Sequence, residues 1–133
     1  MLVRQQLRTT RRDEMIDITD KVAAAVRSSG VRDGIAVVYC PHTTAGIAIN
    51  ENADPDVAHD VLLRLSEVFP RTHPGDRHFE GNTASHLKAI AAGPSQTIIV
   101  AEGRLLLGRW QGVFFCEFDG PRTREYFIKI VEG

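Results

Sequence analysis

Val113-Phe114-Phe115-Cys116-Glu117-Phe118, then Asp119-Gly120-Pro121-Arg122, then Tyr126-Phe127-Ile128-Lys129-Ile130-Val131, is the stretch that decides the fold class. It reads as a strand, a turn and a return strand. The first strand is apolar on both faces, with Val113 and Phe115 pointing one way and Phe114 and Phe118 the other. An antiparallel sheet in a small monomer normally leaves one face wet. The second face here needs a cover, either helices or another subunit. Three helices are enough to cover one face, so an oligomer is favoured but not required.

Working upstream, Thr97 to Val100 is a β-branched strand, and Glu102-Gly103 turns the chain into Leu105-Leu106-Leu107. Gly108 and Gly112 bracket Arg109-Trp110-Gln111, whose Trp110 reads as a core residue. Asp54-Pro55 is a helix start, a capping carboxylate followed by proline at the first helical position. Val57, Val61, Leu62, Leu65, Val68 and Phe69 share one face of that helix, and Pro70 ends it. A polar loop spans 71–81. Asn82 or Thr83 caps a further helix through Leu87 and Ile90, closed by Gly93-Pro94.

Near the start, residues 2–8 alternate like an edge strand, and Ile16 and Ile18 form a short one. Thr19 reads as the cap of a helix through Val22, Ala23 and Val26, with Gly30 just past its end. Ile35 to Cys40 reads as a strand buried on both faces, and Ile47-Ala48-Ile49 as another after the loop Pro41–Gly46. Strands and helices do not alternate regularly. The class is therefore α+β, with largely antiparallel sheets and about three helices in one domain over residues 1–133.

The chain has 133 residues, with 16 Lys+Arg against 17 Asp+Glu and a formal charge of -1. A dedicated binder of nucleic acid or anionic membrane needs a basic surplus, so neither is expected as a partner. A TIM barrel needs roughly 200 residues or more and is excluded by length. Neither a signal-peptide core nor an uncharged run of the ~18 residues a spanning helix requires is present, and a cytoplasmic location is expected. In a reducing compartment Cys40 and Cys116 read as small buried hydrophobes rather than a disulfide.

Three segments combine polar side chains with turn chemistry. Pro41-His42-Thr43-Thr44-Ala45-Gly46 reads alone as a hairpin loop whose Thr hydroxyls satisfy the backbone. In His78-Phe79-Glu80-Gly81-Asn82-Thr83-Ala84-Ser85-His86, a helix begun near Asn82 puts His86 in its first turn. Helical side chains lean toward the N-terminus, so His86 leans toward His78 and Glu80. The alternative is that His78 is a solvated loop residue and His86 merely flanks the packed face. Three neutral imidazoles at ~2.0–2.1 Å suit Zn²⁺ with an open fourth position, and His42, His78 and His86 are the candidates. Their spacing matches no standard zinc motif. His59, His73, and the outward pair Asp56 and Asp60 read as solvated surface. The third segment places Gln111, Glu117 and Asp119 on one side of a strand, with Arg122 as a clamp for the acids.

These segments resemble the YjbQ-like proteins, an uncharacterised protein family. The resemblance rests on Pro41-His42-Thr43-Thr44-Ala45-Gly46-Ile47, Asn50-Glu51-Asn52-Ala53-Asp54-Pro55-Asp56-Val57, His78-Phe79-Glu80-Gly81-Asn82, His86-Leu87-Lys88-Ala89, Leu107-Gly108-Arg109-Trp110-Gln111-Gly112 and Glu117-Phe118-Asp119-Gly120-Pro121-Arg122. Arg109 departs from the Thr expected there. The resemblance implies a compact α+β fold, a homotrimer, a metal site built from histidines, and secondary thiamine-phosphate synthase activity. That reaction needs cationic help for diphosphate departure, for which Arg122 and Lys88 are at hand.

Two functions follow. One is an enzyme dependent on a divalent metal, zinc or magnesium, held by His42, His78 and His86. Glu51 or Glu80 then serves as general base or supports the ligands, and Asn82, Gln111 and Arg122 bind a small phosphorylated substrate. The other is a non-catalytic trimeric protein that binds a small metabolite, with the histidines as hydrogen-bond donors.

Overall fold

The computed structural model describes residues 1–133. A five-stranded sheet runs in the order β1 (Leu2–Arg8), β8 (Thr123–Glu132), β3 (Gly34–Tyr39), β5 (Ser95–Ala101), β6 (Arg104–Leu105). A three-stranded sheet has β7 (Gln111–Glu117) between β2 (Glu14–Asp17) and β4 (Ala45–Glu51). All pairings are antiparallel. The helices are α1 (Thr19–Ser29), α2 (Pro55–Val68) and α3 (Thr83–Ala92). The α+β class is as expected, but of Leu105–Leu107 only Leu105 lies in a strand, the two-residue β6.

The two sheets face each other over one core. Ala36, Val38, Ile98, Val100, Tyr126, Ile128 and Ile130 come from the large sheet, and Ala45, Ile47, Val113 and Phe115 from the small one. Val22, Ala25 and Val26 of α1 complete it. The other face of β7 carries Phe114 and Cys116, which with Phe118 pack on Ala89 and, more loosely, Leu62, Leu65 and Ala92. Helices α2 and α3 thus cover the second face within one subunit, and β7 is buried on both sides.

Two strand pairs expected as hairpins are not hairpins. β7 and β8 lie in different sheets, and so do β3 and β4. The reason is packing: β7 must bury both faces, which only the small sheet between core and helices allows, while β8 has only one apolar face to bury. The chain therefore crosses between sheets at 118–122 and at 40–44, and again at 9–13 between β1 and β2. The crossings are tied together. Thr9 N–H donates to the Arg122 carbonyl at 2.9 Å, and Phe118 N–H to the Thr44 carbonyl at 3.1 Å. At Gly120 any Cβ would lie 2.1 Å from the Arg11 carbonyl oxygen, so the corner admits only glycine.

Further expectations are corrected. The strand at 34–39 is buried on one face only, with Ile35 and Tyr39 exposed, because nothing lies over the outer face of its sheet in the single chain. Trp110 is exposed beneath the Arg109 guanidinium, 4.8 Å from its ring centroid, rather than in the core. Thr19 takes the first helical position instead of the cap, and its N–H donates to the Asp17 carboxylate at 2.9 Å. Helix α3 buries Ala84, Ser85, Lys88 and Ala89 and turns Leu87 and Ile90 outward. That helix abuts β4 so closely that a Cβ at Gly46 would be 2.7 Å from the Gly93 carbonyl. The Asp54 cap forms as read, accepting from the Asp56 N–H at 2.9 Å.

Candidate functional site

The crossings at 40–44 and 118–122 meet the N-terminus of α3 at one end of the sandwich. Between them lies a cleft of about 380 Å³ with no hydrophobic residue in its lining. His42, His78, His86, Glu80, Asn82 and Arg122 all face it. Six of the eight residues singled out in sequence therefore share one place. Glu51 and Gln111 do not. They pair with each other at the opposite end of β4 and β7, about 20 Å along the strand from Glu117. Glu51 instead lines a separate cleft under α2, beside Asn52 and Asp54. Period-2 alternation put Gln111 and Glu117 on one side of β7 and says nothing of distance along it.

The imidazoles are not equivalent. His78 and His86 stand edge to face with ring centroids 5.4 Å apart, and His78 Nε2 is 3.6 Å from Glu80 Oε1. His42 is held apart by β8, its Nε2 lying 3.0 Å from the Glu125 amide nitrogen and 3.1 Å from its carbonyl oxygen. Whichever of the two it engages, only Nδ1 of that ring is free. Burial lowers the pKa of His42, and the nearby Arg124 charge lowers it further, against opposing effects from Glu125 and Glu117. No three His, Cys, Asp or Glu side chains lie within common reach of one metal ion. The donors that adjoin one another are His78, His86 and Glu80. His59 and His73 are exposed and make only local bonds, as read.

Asn82 precedes α3 but does not cap it with its side chain. Its Nδ2 donates instead to Asp119 Oδ2 at 2.9 Å, which leaves Oδ1 buried without a partner. A carboxylate can only accept, so the amide orientation is settled by that bond. Asp119 also accepts from Arg122 Nη2 at 2.9 Å, while Arg122 Nε donates to the Asp119 carbonyl at 2.8 Å. Burial pushes the Asp119 carboxyl up, but the bonds from Asn82 and Arg122 and the charges of Arg122 and Arg71 outweigh it and hold the group below its ordinary value.

Beneath this lies a pair that the sequence reading missed. Glu117 is completely buried and accepts from Thr9 Oγ1 at 2.7 Å and Arg124 Nε at 2.9 Å, with the Phe118 and Asp119 N–H groups completing its shell. Arg124 Nη2 donates to the same carboxylate and to Thr44 Oγ1 at 2.8 Å. Removing one partner of such a buried pair typically costs about 3–5 kcal/mol, because the other charge is left unpaired. One ion pair thus joins the crossings at 9–13, 40–44 and 118–122 and fixes the cleft floor. A signal was available: Arg124 occupies an inward position in the alternation Arg124, Tyr126, Ile128, Ile130, where a charge demands a buried partner. Cys40 and Cys116 are free and buried, and burial pushes Cys116 up to about 12.

Residues 4–133 match the model of the family described as UPF0047 protein YjbQ-like. The chain belongs to this family. It is 60% identical over 131 residues to the UPF0047 protein YugU of Bacillus subtilis, covering 98% of this chain and 99% of the relative. It is 53% identical to the UPF0047 protein MJ1081 of Methanocaldococcus jannaschii, covering 98% and 94%. A solved YjbQ/UPF0047 structure from Clostridium acetobutylicum superposes with a TM-score of 0.95 at 55% identity, covering 97% and 99%. A YbjQ-like protein of unknown function from Sulfolobus solfataricus gives 0.95 at 32% identity, covering 100% and 97%. The YjbQ-like family and its α+β fold thus follow from sequence and structure alike. No helix of this YjbQ-like chain is long and apolar enough to cross a membrane.

Proposed function

We propose that this YjbQ-like protein is a metal-dependent enzyme that acts on a small phosphorylated metabolite bound in the histidine cleft. The carrying observation is the convergence of three imidazoles with Arg122 and Asn82 in a cleft free of apolar lining. In this reading Arg122 and the α3 N-terminus meet the phosphate. Glu80, beside His78, is the candidate general base. Glu51 and Gln111 lie too far away to act in the same cleft of one chain.

The adjoining imidazoles of His78 and His86 suit zinc better than magnesium, which prefers oxygen ligands and retains water. A divalent ion would be held by His78 and His86, leaving Glu80 as the base and open positions for water and substrate, and would supply Lewis-acid polarisation of a phosphoryl oxygen. His42, with Nε2 engaged by Glu125, is then placed to hydrogen-bond the substrate through Nδ1. For thiamine-phosphate synthesis as a secondary activity, Arg122 is the cation at hand. Lys88 faces away from the cleft and is engaged by Asp13 and Ser66, each at 3.0 Å.

The lack of three donors within common reach favours a second reading, a binding protein whose histidines act by hydrogen bonds. Elemental analysis of protein purified without an affinity tag separates the two. About one divalent ion per chain, lost in His86→Ala and in His78→Ala, is expected of the enzyme. Metal-free protein stabilised against heat by a phosphorylated ligand is expected of the binder.

We also propose that the chain assembles as a homotrimer through the open face of the large sheet. Val131, Ile35 and Ile99 are cross-strand neighbours there, and each is exposed in the single chain. A row of aliphatic side chains on an uncovered sheet is an association surface.

A further inference from the structure

The floor of the cleft holds a cation that no family motif quoted above contains. Arg124 is 6% exposed, yet it is one of the residues facing the cleft. Its Nε and Nη2 are turned to Glu117 and Thr44 and make every hydrogen bond that the guanidinium has. Nη1 has no partner in the protein, and it is not among the polar atoms sealed from solvent without one. A nitrogen that is unpartnered, unsealed and part of a cleft-lining side chain has its open side toward the cleft.

We propose that Arg124 is the residue that reads the anionic group of the ligand, with Nη1 donating to a phosphate oxygen while Glu117 and Thr44 hold the guanidinium plane. The inference rests on the reading of the cleft as a site for a phosphorylated metabolite. Three physical points support it. The guanidinium is pre-oriented, so little side-chain entropy is lost when a ligand arrives. It sits where water is largely excluded, so a charge-assisted bond is stronger there than at the exposed Arg122, which is half open to solvent. Thr44, which Nη2 grips, belongs to the same crossing as His42, and all three residues line the one cleft. Two carboxylates line the cleft, and neither engages Nη1: Asp119 is taken up by Asn82 and Arg122, and Glu80 faces His78. Glu117 neutralises most of the Arg124 charge, so the gain is directional bonding rather than long-range attraction.

The test is titration of the full chain with inorganic phosphate, followed by ³¹P line width and calorimetry. Arg124→Lys keeps a cation opposite Glu117 but removes Nη1. It is expected to weaken phosphate roughly tenfold or more. Arg122→Ala should weaken it by less, about threefold. Equal affinity of wild type and Arg124→Lys overturns the inference. Because a lysine beside buried Glu117 can impair folding, the guanidinium ¹⁵N signals are also followed in the wild type. A shift of the Arg124 Nη1 resonance that saturates with phosphate supports the assignment, and no shift at saturation overturns it. If the wild type binds no phosphate, the phosphorylated-metabolite reading falls as well. If it binds phosphate while Arg124 stays unmoved, only the role of Arg124 falls.

Discussion

Asn82 illustrates how single side chains serve the cleft in place of their own element. Asparagine before a helix ordinarily accepts from the backbone two or three residues on, but here it donates to Asp119 and α3 goes without a side-chain cap. The depressed pKa of Asp119 has a thermodynamic consequence. Its folded-state value is below its unfolded one, so its ionised form contributes stability at neutral pH. That contribution is lost as pH falls through the folded value, below about pH 4. Asp119→Asn is expected to be less stable than wild type at pH 7, with the gap closing as the pH is lowered, in urea titrations at stepped pH. A gap that stays constant would show that Asp119 acts only by shape. The hydrogen-bonding types at 78–86 and 119–122 were legible in the sequence. That Asn82 and Arg122 share one carboxylate was not, because they are far apart along the chain.

At the level of elements, β7 and α2 are opposites. Every residue of β7 after Gln111 is buried, whereas α2 buries none of its fourteen residues. Large-to-small changes in a fully enclosed core carry both a transfer and a cavity cost. Phe115→Ala is therefore expected to destabilise by about 3–5 kcal/mol. Leu62→Ala, on the half-buried face of α2, should cost clearly less in urea unfolding at matched protein concentration. A comparable loss for Leu62→Ala would mean that α2 is as tightly bound as the core strand. The apolar stripe of α2, its proline start and the two-faced pattern of β7 were all readable from residue order. Which strands pair was not. A Gly-Pro turn between apolar runs has the same local signature whether it closes a hairpin or carries the chain to another sheet. The choice at 118–122 rests on burial, since β7 has two apolar faces to enclose and β8 one, and the Glu117–Arg124 pair then links the two sheets.

For the whole molecule, the sandwich encloses one face of the large sheet and leaves Ile35, Ile99 and Val131 open. If the trimer forms there, Ile99→Lys sets a charge in the interface and is expected to give monomers by analytical ultracentrifugation without loss of secondary structure. An unchanged trimer in that variant would place the contact elsewhere, and a monomeric wild type would remove the assembly altogether.

The sequence by itself determined the α+β class, the three helices with their boundaries to within a residue or two, the two buried faces of β7 and the residue types of the cleft. Each follows from local periodicity, capping chemistry and the cost of burying polar groups, which act between near neighbours. Only the tertiary structure decided that the chain changes sheets at 9–13, 40–44 and 118–122 instead of closing hairpins there, that Glu51 and Gln111 stand at the far end of the strand, and that Arg124 underlies the histidines. Those outcomes depend on which surfaces can be buried at once, a property of the packed whole that no window of residues contains.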